Sequence, residues 1–90
     1  MTFERFCLRI RSYCDATAGS VTSWGRTVKH NRDVGGDARS LHVAWKAVDV
    51  VYDPPAPALD VRQTLAASFG LYVWPEDDHD HLRPIDEVWV

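Results

Sequence analysis

The sequence lacks what several classes of protein require. No run of apolar residues approaches the roughly 20 that a membrane-spanning helix needs. Ten basic residues face thirteen acidic ones, for a net charge of -3, so there is no positive excess to hold nucleic acid or an anionic membrane. We therefore expect a chain that neither spans a membrane nor binds nucleic acid.

Cysteine is scarce as well, and the two that are present are badly spaced for a disulfide. Cys7 and Cys14 fall in a segment with helical periodicity. At a rise of about 1.5 Å per residue their Cα atoms would lie roughly 10 Å apart, beyond disulfide reach. We expect both to be reduced core thiols.

What is present suits one small folded domain. Apolar residues make up 46% of the chain and charged residues 26%, close to the average for globular proteins, so we expect a single domain over residues 1–90. The first residues mix charges with apolar positions and lack the cleavage site of a secretory signal. We expect the protein to be made in the cytoplasm without a signal peptide.

Hydrophobic periodicity predicts helices and strands in alternation. An apolar stripe predicts a helix over about 3–14, formed by Phe3, Phe6, Cys7, Ile10 and Cys14. Further helices are predicted from a Thr27 cap through Asp33, and over 59–69 with a stripe of Leu59, Arg62, Leu65, Ala66 and Phe69. Strands are predicted at 21–24, 47–52, 71–74 and from 82 onward, with an edge strand at 85–90.

Two histidines and an aspartate form a candidate metal site. His42 ends a loop, Asp49 lies within the predicted strand 47–52, and His81 lies in the next predicted sheet segment. Two imidazoles and one carboxylate fill three corners of a zinc tetrahedron and leave the fourth for water or substrate. Zinc lowers the pKa of its water from about 15.7 to near 7 and polarises a peptide carbonyl, so a neighbouring carboxylate can accept the proton.

The acidic segment before His81 leaves the identity of that carboxylate open. In an extended strand, His79 and His81 would share one face, and Asp78 would lie on the other. Bringing Asp78 beside His81 therefore requires a turn or bulge within 77–80. His79 could replace His81 as a ligand or could be a supporting or exposed residue, and we favour the second role. Glu76 and Asp77 are interpreted as a solvated turn.

Six short motifs follow one another in a recognisable order. They are T-S-W-G-R at 22–26, H-N at 30–31, V-G-G at 34–36, S-x-H at 40–42, A-V-D at 47–49 and D-x-x-H at 78–81. Over about residues 21–83 the chain resembles the M15 peptidases, the zinc D-Ala-D-Ala carboxypeptidases and their phage endolysin relatives. The resemblance implies the small α+β fold of the hedgehog signalling domain, an antiparallel sheet with helices packed on one side.

The resemblance also implies a role for each matched residue. Zinc would be held by His42, Asp49 and His81. Asp78, three residues before the second histidine, would be the general base. Arg26 would steady the substrate and the developing oxyanion, so that it is both catalytic and substrate-binding. Ser40 would lie near the carboxylate of the substrate.

Trp45 stands where the family pattern has glycine. If that position requires a positive φ, an indole side chain there would be strained. We therefore expect either a different loop or a tryptophan that forms a wall of the cleft.

The predicted function is a zinc peptidase of bacterial peptidoglycan peptides, acting as a carboxypeptidase or an endopeptidase through metal-activated water. We expect a monomer whose partner is the wall peptide, and which could act at the wall after release from the cytoplasm, as a phage-type lysis enzyme does. The alternative is a zinc-stabilised module that binds peptidoglycan or a protein without cleaving it, which the short chain and Trp45 favour.

Overall fold

The computed structural model describes residues 1–37, 40–86 and 88–89. In those ranges the chain forms three helices and four strands: α1 (Phe3–Thr17), β1 (Gly19–Ser23), α2 (Val28–Asp33), β2 (Val48–Tyr52), α3 (Leu59–Ser68), β3 (Leu71–Pro75) and β4 (Asp80–Pro84). None of the helices in the described ranges is long and apolar enough to cross a bilayer. The α+β class predicted from the sequence is confirmed.

The strands form one antiparallel sheet in the order β1-β2-β4-β3. In this register Asp49 of β2 lies opposite His81 of β4, and Trp74 of β3 lies opposite the same histidine. Because side chains alternate between the two faces of a strand, Val48 and Val50 point to the other face. The pairing of β2 with β4 therefore brings Asp49 and His81 together on one face of the sheet.

Helices α1 and α3 pack against the sheet and enclose the core. Among the described residues, nine buried side chains form that core: Phe6, Ile10, Tyr13, Val48, Val50, Ala66, Leu71, Val73 and Leu82. The buried stripe of α1 differs from the predicted one, because Tyr13 and Thr17 are buried while Phe3 is 44% exposed. The cysteines are free, as predicted, and both are partly buried; Cys14 packs against the core, whereas Cys7 is not among the core residues.

The ends of several elements follow from local chemistry. Thr27 caps α2 by accepting the N–H of His30, as predicted, and Gly35 follows the helix with a φ of 76°. Helix α1 runs to Thr17 and ends on Ala18 in the left-handed region. The predicted edge strand is wrong at residues 85–86 and 88–89, which lie outside the sheet, while positions 87 and 90 fall outside the described residues. Pro84 lacks an N–H and is the last residue of β4.

Candidate metal centre

The three predicted ligands meet on the face of the sheet opposite the core, which we call the open face. One candidate ligand atom from each of His42, Asp49 and His81 lies within 4.8 Å of the others. Oδ1 of Asp49 is 3.1 Å from Nε2 of His42 and 3.5 Å from Nδ1 of His81. Donor atoms held about 2.0–2.1 Å from a tetrahedral zinc ion lie about 3.3 Å apart. The spacing of the donors therefore suits a zinc ion.

His42 is fixed by hydrogen bonds on three sides. Its Nδ1 donates to the carbonyl of Trp24 at 2.8 Å, and its backbone N–H donates to Oγ of Ser40 at 3.2 Å. Its own carbonyl accepts the N–H of Arg26 at 3.1 Å. Since a carbonyl can only accept, the ring proton belongs on Nδ1 and the lone pair of Nε2 faces Asp49. This is the tautomer that a metal ligand needs.

In that tautomer, Nε2 of His42 and Oδ1 of Asp49 are both hydrogen-bond acceptors, and they face each other. His42 is 3% exposed and Asp49 is 8% exposed, so water cannot readily separate Nε2 from Oδ1. A buried lone pair pointed at a buried carboxylate is costly unless a proton or a cation lies between them. The contact between these two residues thus fits a centre that holds a cation.

Asp49 is ionised despite its burial. Burial raises the pKa of Asp49, but the imidazoles of His42, His81 and His79, when protonated, outweigh that effect and hold the pKa far below its ordinary value. An ionised carboxylate is the form that binds a metal.

Arg26 lies in the same cleft and contacts the carboxylate. Its Nη2 is 3.5 Å from Oδ2 of Asp49, and its Nη1 donates to Oδ1 of Asn31 at 3.2 Å. Asn31 is 3% exposed, and its side-chain amide donates to the carbonyl of Asp37 at 2.7 Å. Asn31 thus links its short helix to the backbone at Asp37. The structure shows that it also orients the guanidinium at the cleft.

A cleft of about 310 Å³ gives access to the centre. It is lined by residues predicted for the site and by others, including Arg26, Ser40, His42, Asp49, Glu76, His79 and His81. Glu76 was interpreted from the sequence as part of a solvated turn. Its backbone N–H donates to the carbonyl of His79 at 2.8 Å, and this turn places both residues at the cleft.

Asp78 is connected to the centre through His79. The Asp78 side chain is 89% exposed and lines a neighbouring cavity. Its Oδ1 accepts a hydrogen bond from Nδ1 of His79 at 2.6 Å, and this bond lowers the pKa of Asp78. Nε2 of His79 in turn lies 3.7 Å from Oδ1 of Asp49. His79 and His81 share a face, as alternation predicts, while Asp78 sits beside His79 and not in the cleft.

Trp45 does not form a wall of the metal cleft, which was one of the two expectations for it. Its φ is 59°, so this residue has a left-handed conformation with an indole side chain. The ring covers Gly25 so closely that a Cβ there would lie 2.0 Å from it, and it meets the ring of Phe3 at a centroid distance of 6.5 Å. Trp45 lines an adjoining apolar surface with Phe3, Ala44 and Trp89, outside the metal cleft.

Comparison with known proteins adds one finding to this geometry. A family model described as Peptidase M15 matches residues 7–82, more than four fifths of the chain. No significant match was found among curated proteins or among solved structures. The matched range contains all three candidate ligands and the described residues that line the cleft.

Proposed function

The chain belongs to the M15 peptidase family, and we propose that it is a zinc peptidase that cleaves the peptides of bacterial cell walls. The convergence of His42, Asp49 and His81 in an accessible cleft carries this proposal. Family membership supports hydrolysis of a peptide bond. The choice of a wall peptide rests on the ordered motifs that resemble the D-Ala-D-Ala carboxypeptidases and endolysins.

The donor set suits zinc, which when bound by His42, Asp49 and His81 would polarise a peptide carbonyl and lower the pKa of a water. Arg26 presents a fixed guanidinium to the cleft, where it would bind a carboxylate of the substrate and stabilise negative charge on the carbonyl oxygen. Ser40 lines the same cleft and would contribute to binding the same carboxylate.

The pair formed by His79 and Asp78 would move the proton. Nδ1 of His79 is hydrogen-bonded to Asp78, so its Nε2 is free to accept a proton on the cleft side. Asp78 would hold the imidazole in this orientation and stabilise its charged form, as the third member of a catalytic triad does. The predicted base thus acts through a neighbouring histidine.

Metal analysis is the first test of the proposal. After zinc loading and dialysis, we expect about one zinc per chain in the wild type and a loss of that zinc in His42→Ala. His30→Ala is the matched control, because His30 is exposed on α2. A folded wild type that retains no zinc would exclude the zinc peptidase.

Digestion of purified walls is the second test. Mass analysis of the products distinguishes the two modes of cleavage, because a carboxypeptidase releases free D-Ala and an endopeptidase releases larger peptides. We expect new peptide termini with the zinc-loaded protein and none with His42→Ala.

A zinc-stabilised binding module is the second candidate, and the exposure of Asp78 favours it. Such a module needs the metal for stability but needs no proton acceptor in the cleft. It would bind to isolated sacculi without producing new termini, even when fully loaded with zinc. Sedimentation with sacculi, measured beside the product analysis, separates this candidate from the peptidase.

A further inference from the structure

A second groove lies on the open face of the sheet next to the metal cleft. It has a volume of about 350 Å³, and residues that line it include Leu41, Lys46, Tyr72, Arg83, Asp86 and Trp89. Leu41 also lines the metal cleft, so the two depressions meet at this side chain. A substrate bound in the cleft can therefore extend into the groove.

Two cationic side chains in this groove lie over aromatic rings. Cζ of Arg83 lies 5.2 Å from the ring centroid of Tyr72, its partner across β3 and β4. Nζ of Lys46 lies 5.2 Å from the ring centroid of Trp89. Such contacts hold a cation in place while leaving N–H groups available to another ligand.

The described acidic residue of the groove is already paired. Oδ1 of Asp86 accepts from Nη1 of Arg9 at 2.8 Å, so its charge is compensated from outside the groove. Lys46 and Arg83 therefore provide a local positive site on a chain whose net charge is -3. A ligand of complementary charge is an anion.

The distance between the cleft and the groove matches a short stretch of peptide. His81 and Arg83 lie on the same face of β4, two residues apart. A strand rises about 3.3 Å per residue, and an extended peptide has the same repeat, so about two substrate residues cover the distance between these positions. The anions available in a peptide at that distance are carboxylates.

We propose that the groove formed by Lys46, Arg83, Tyr72 and Trp89 binds a carboxylate of the peptide substrate, about two residues from the bond held at the metal centre. This subsite rests on the proposed peptidase function. It would make the protein prefer wall peptides with a free carboxylate at that position over peptides in which the carboxylate is amidated.

Binding of an uncleavable peptide pair tests this subsite apart from catalysis. Both pentapeptides end in D-Ala-D-Ala with the last amide replaced by a CH₂–NH link, and they carry D-Glu or D-Gln at the second residue. Calorimetry with the zinc-loaded chain at low salt should show about 5-fold tighter binding of the D-Glu peptide, because two partly exposed ion pairs contribute little more than that. The preference should shrink as salt is added.

Lys46→Gln/Arg83→Gln should bind the two peptides equally. Arg5→Gln/Arg11→Gln, which makes the same change of charge on exposed positions of α1, should keep the wild-type preference. The single variants Lys46→Gln and Arg83→Gln serve if the double variant does not fold, and each should lose part of the preference.

The outcomes separate this subsite from the peptidase activity. A D-Glu preference that depends on Lys46 and Arg83 supports the groove even if the cleavable peptide is not hydrolysed. Hydrolysis without any preference overturns the subsite and leaves the peptidase. Equal or undetectable binding of both peptides, or a preference that survives the double substitution, also overturns it.

Discussion

Asp49 and Asp80 are both buried, yet they lie in opposite environments. Asp49 is 8% exposed and Asp80 is 2% exposed. They belong to adjacent residue pairs between β2 and β4, in which Asp49 pairs with His81 and Asp80 pairs with Val50. Alternation along the strands sends Asp49 to the open face and Asp80 to the face covered by helices. The comparison shows what distinguishes a structural carboxylate from a candidate ligand.

Asp80 is satisfied by partners within the protein. Its Oδ2 accepts from Nε of Arg62 at 2.7 Å and from the hydroxyl of Tyr52 at 2.6 Å, and its Oδ1 accepts from Nη2 of Arg62 at 3.3 Å. Arg62 also donates to the carbonyl of Pro57 at 2.7 Å. The guanidinium of Arg62 is permanently charged and forms hydrogen bonds to both carboxylate oxygens, so the charge of Asp80 is balanced without a metal.

Asp49 has more ionisable neighbours than Asp80 but weaker contacts with them. The nearest nitrogens of three imidazoles lie 3.1 to 3.7 Å from its Oδ1, and the guanidinium of Arg26 lies 3.5 Å from its Oδ2. One of those nitrogens, Nε2 of His42, presents a lone pair. The protonation state and distance of its neighbours, more than their number, distinguish Asp49 as a candidate metal ligand.

Asp49→Ala should have the largest effect on function. Removing the central carboxylate leaves two ligands, so we expect zinc content to fall from about one per chain to background, with at least about a 100-fold loss of metal affinity. Wall hydrolysis should fall below detection. Metal analysis and product mass analysis provide the measurements, and Asp33→Ala, in an exposed pair with Lys29, is the control. Retained zinc in Asp49→Ala would remove Asp49 from the ligand set.

Asp80→Ala should act on stability instead. The substitution leaves the largely buried guanidinium of Arg62 without its partner, which typically costs about 3–5 kcal/mol of unfolding free energy. Urea unfolding measures the loss, with Asp86→Ala as a control in the more exposed pair with Arg9 and a much smaller expected effect. Asp80→Ala that unfolds like the wild type but loses zinc would reverse the roles of the two carboxylates.

Asp78→Asn should separate proton transfer from metal binding. The amide cannot stabilise a charged His79, so we expect hydrolysis to fall about 100-fold or more while zinc content stays unchanged. Asp77→Asn, one residue earlier in the same turn, should behave like the wild type. Full activity in Asp78→Asn would exclude the proposed role of Asp78 and His79 as a pair.

Motif spacing and strand alternation predicted which residues the site would bring together. His42, Asp49 and His81 could be selected from the sequence because their residue types and order carry the signal. The alternation that put His79 and His81 on one face also holds in the structure. Alternation is a local property of the strand, whereas the meeting of Asp49 with His81 depends on the pairing of β2 with β4.

Contacts between distant segments could not be predicted in the same way. The orientation of His42 depends on the carbonyl of Trp24, which is 18 residues away. Arg62 was counted in the apolar stripe of its helix because its spacing fits, and only the packed structure shows that it pairs with Asp80. The indole of Trp45, whose φ is positive, likewise packs over Gly25, which is 20 residues away.

Tyr52→Phe should have the smallest effect of these variants and would sharpen the comparison most. Burial, followed by the hydrogen bond to Asp80, raises the pKa of Tyr52, so the hydroxyl stays protonated and donates to the carboxylate. Its removal should cost about 1.5–3 kcal/mol of unfolding free energy, the usual range for a hydrogen bond to a charged group. The control is Tyr72→Phe, which removes a hydroxyl from an exposed tyrosine and should change the unfolding free energy little. If Tyr52→Phe left the unfolding free energy unchanged, Arg62 alone would be enough to stabilise the Asp80 carboxylate. The difference between Asp80 and Asp49 would then come from the guanidinium of Arg62 and not from the hydrogen bond of Tyr52.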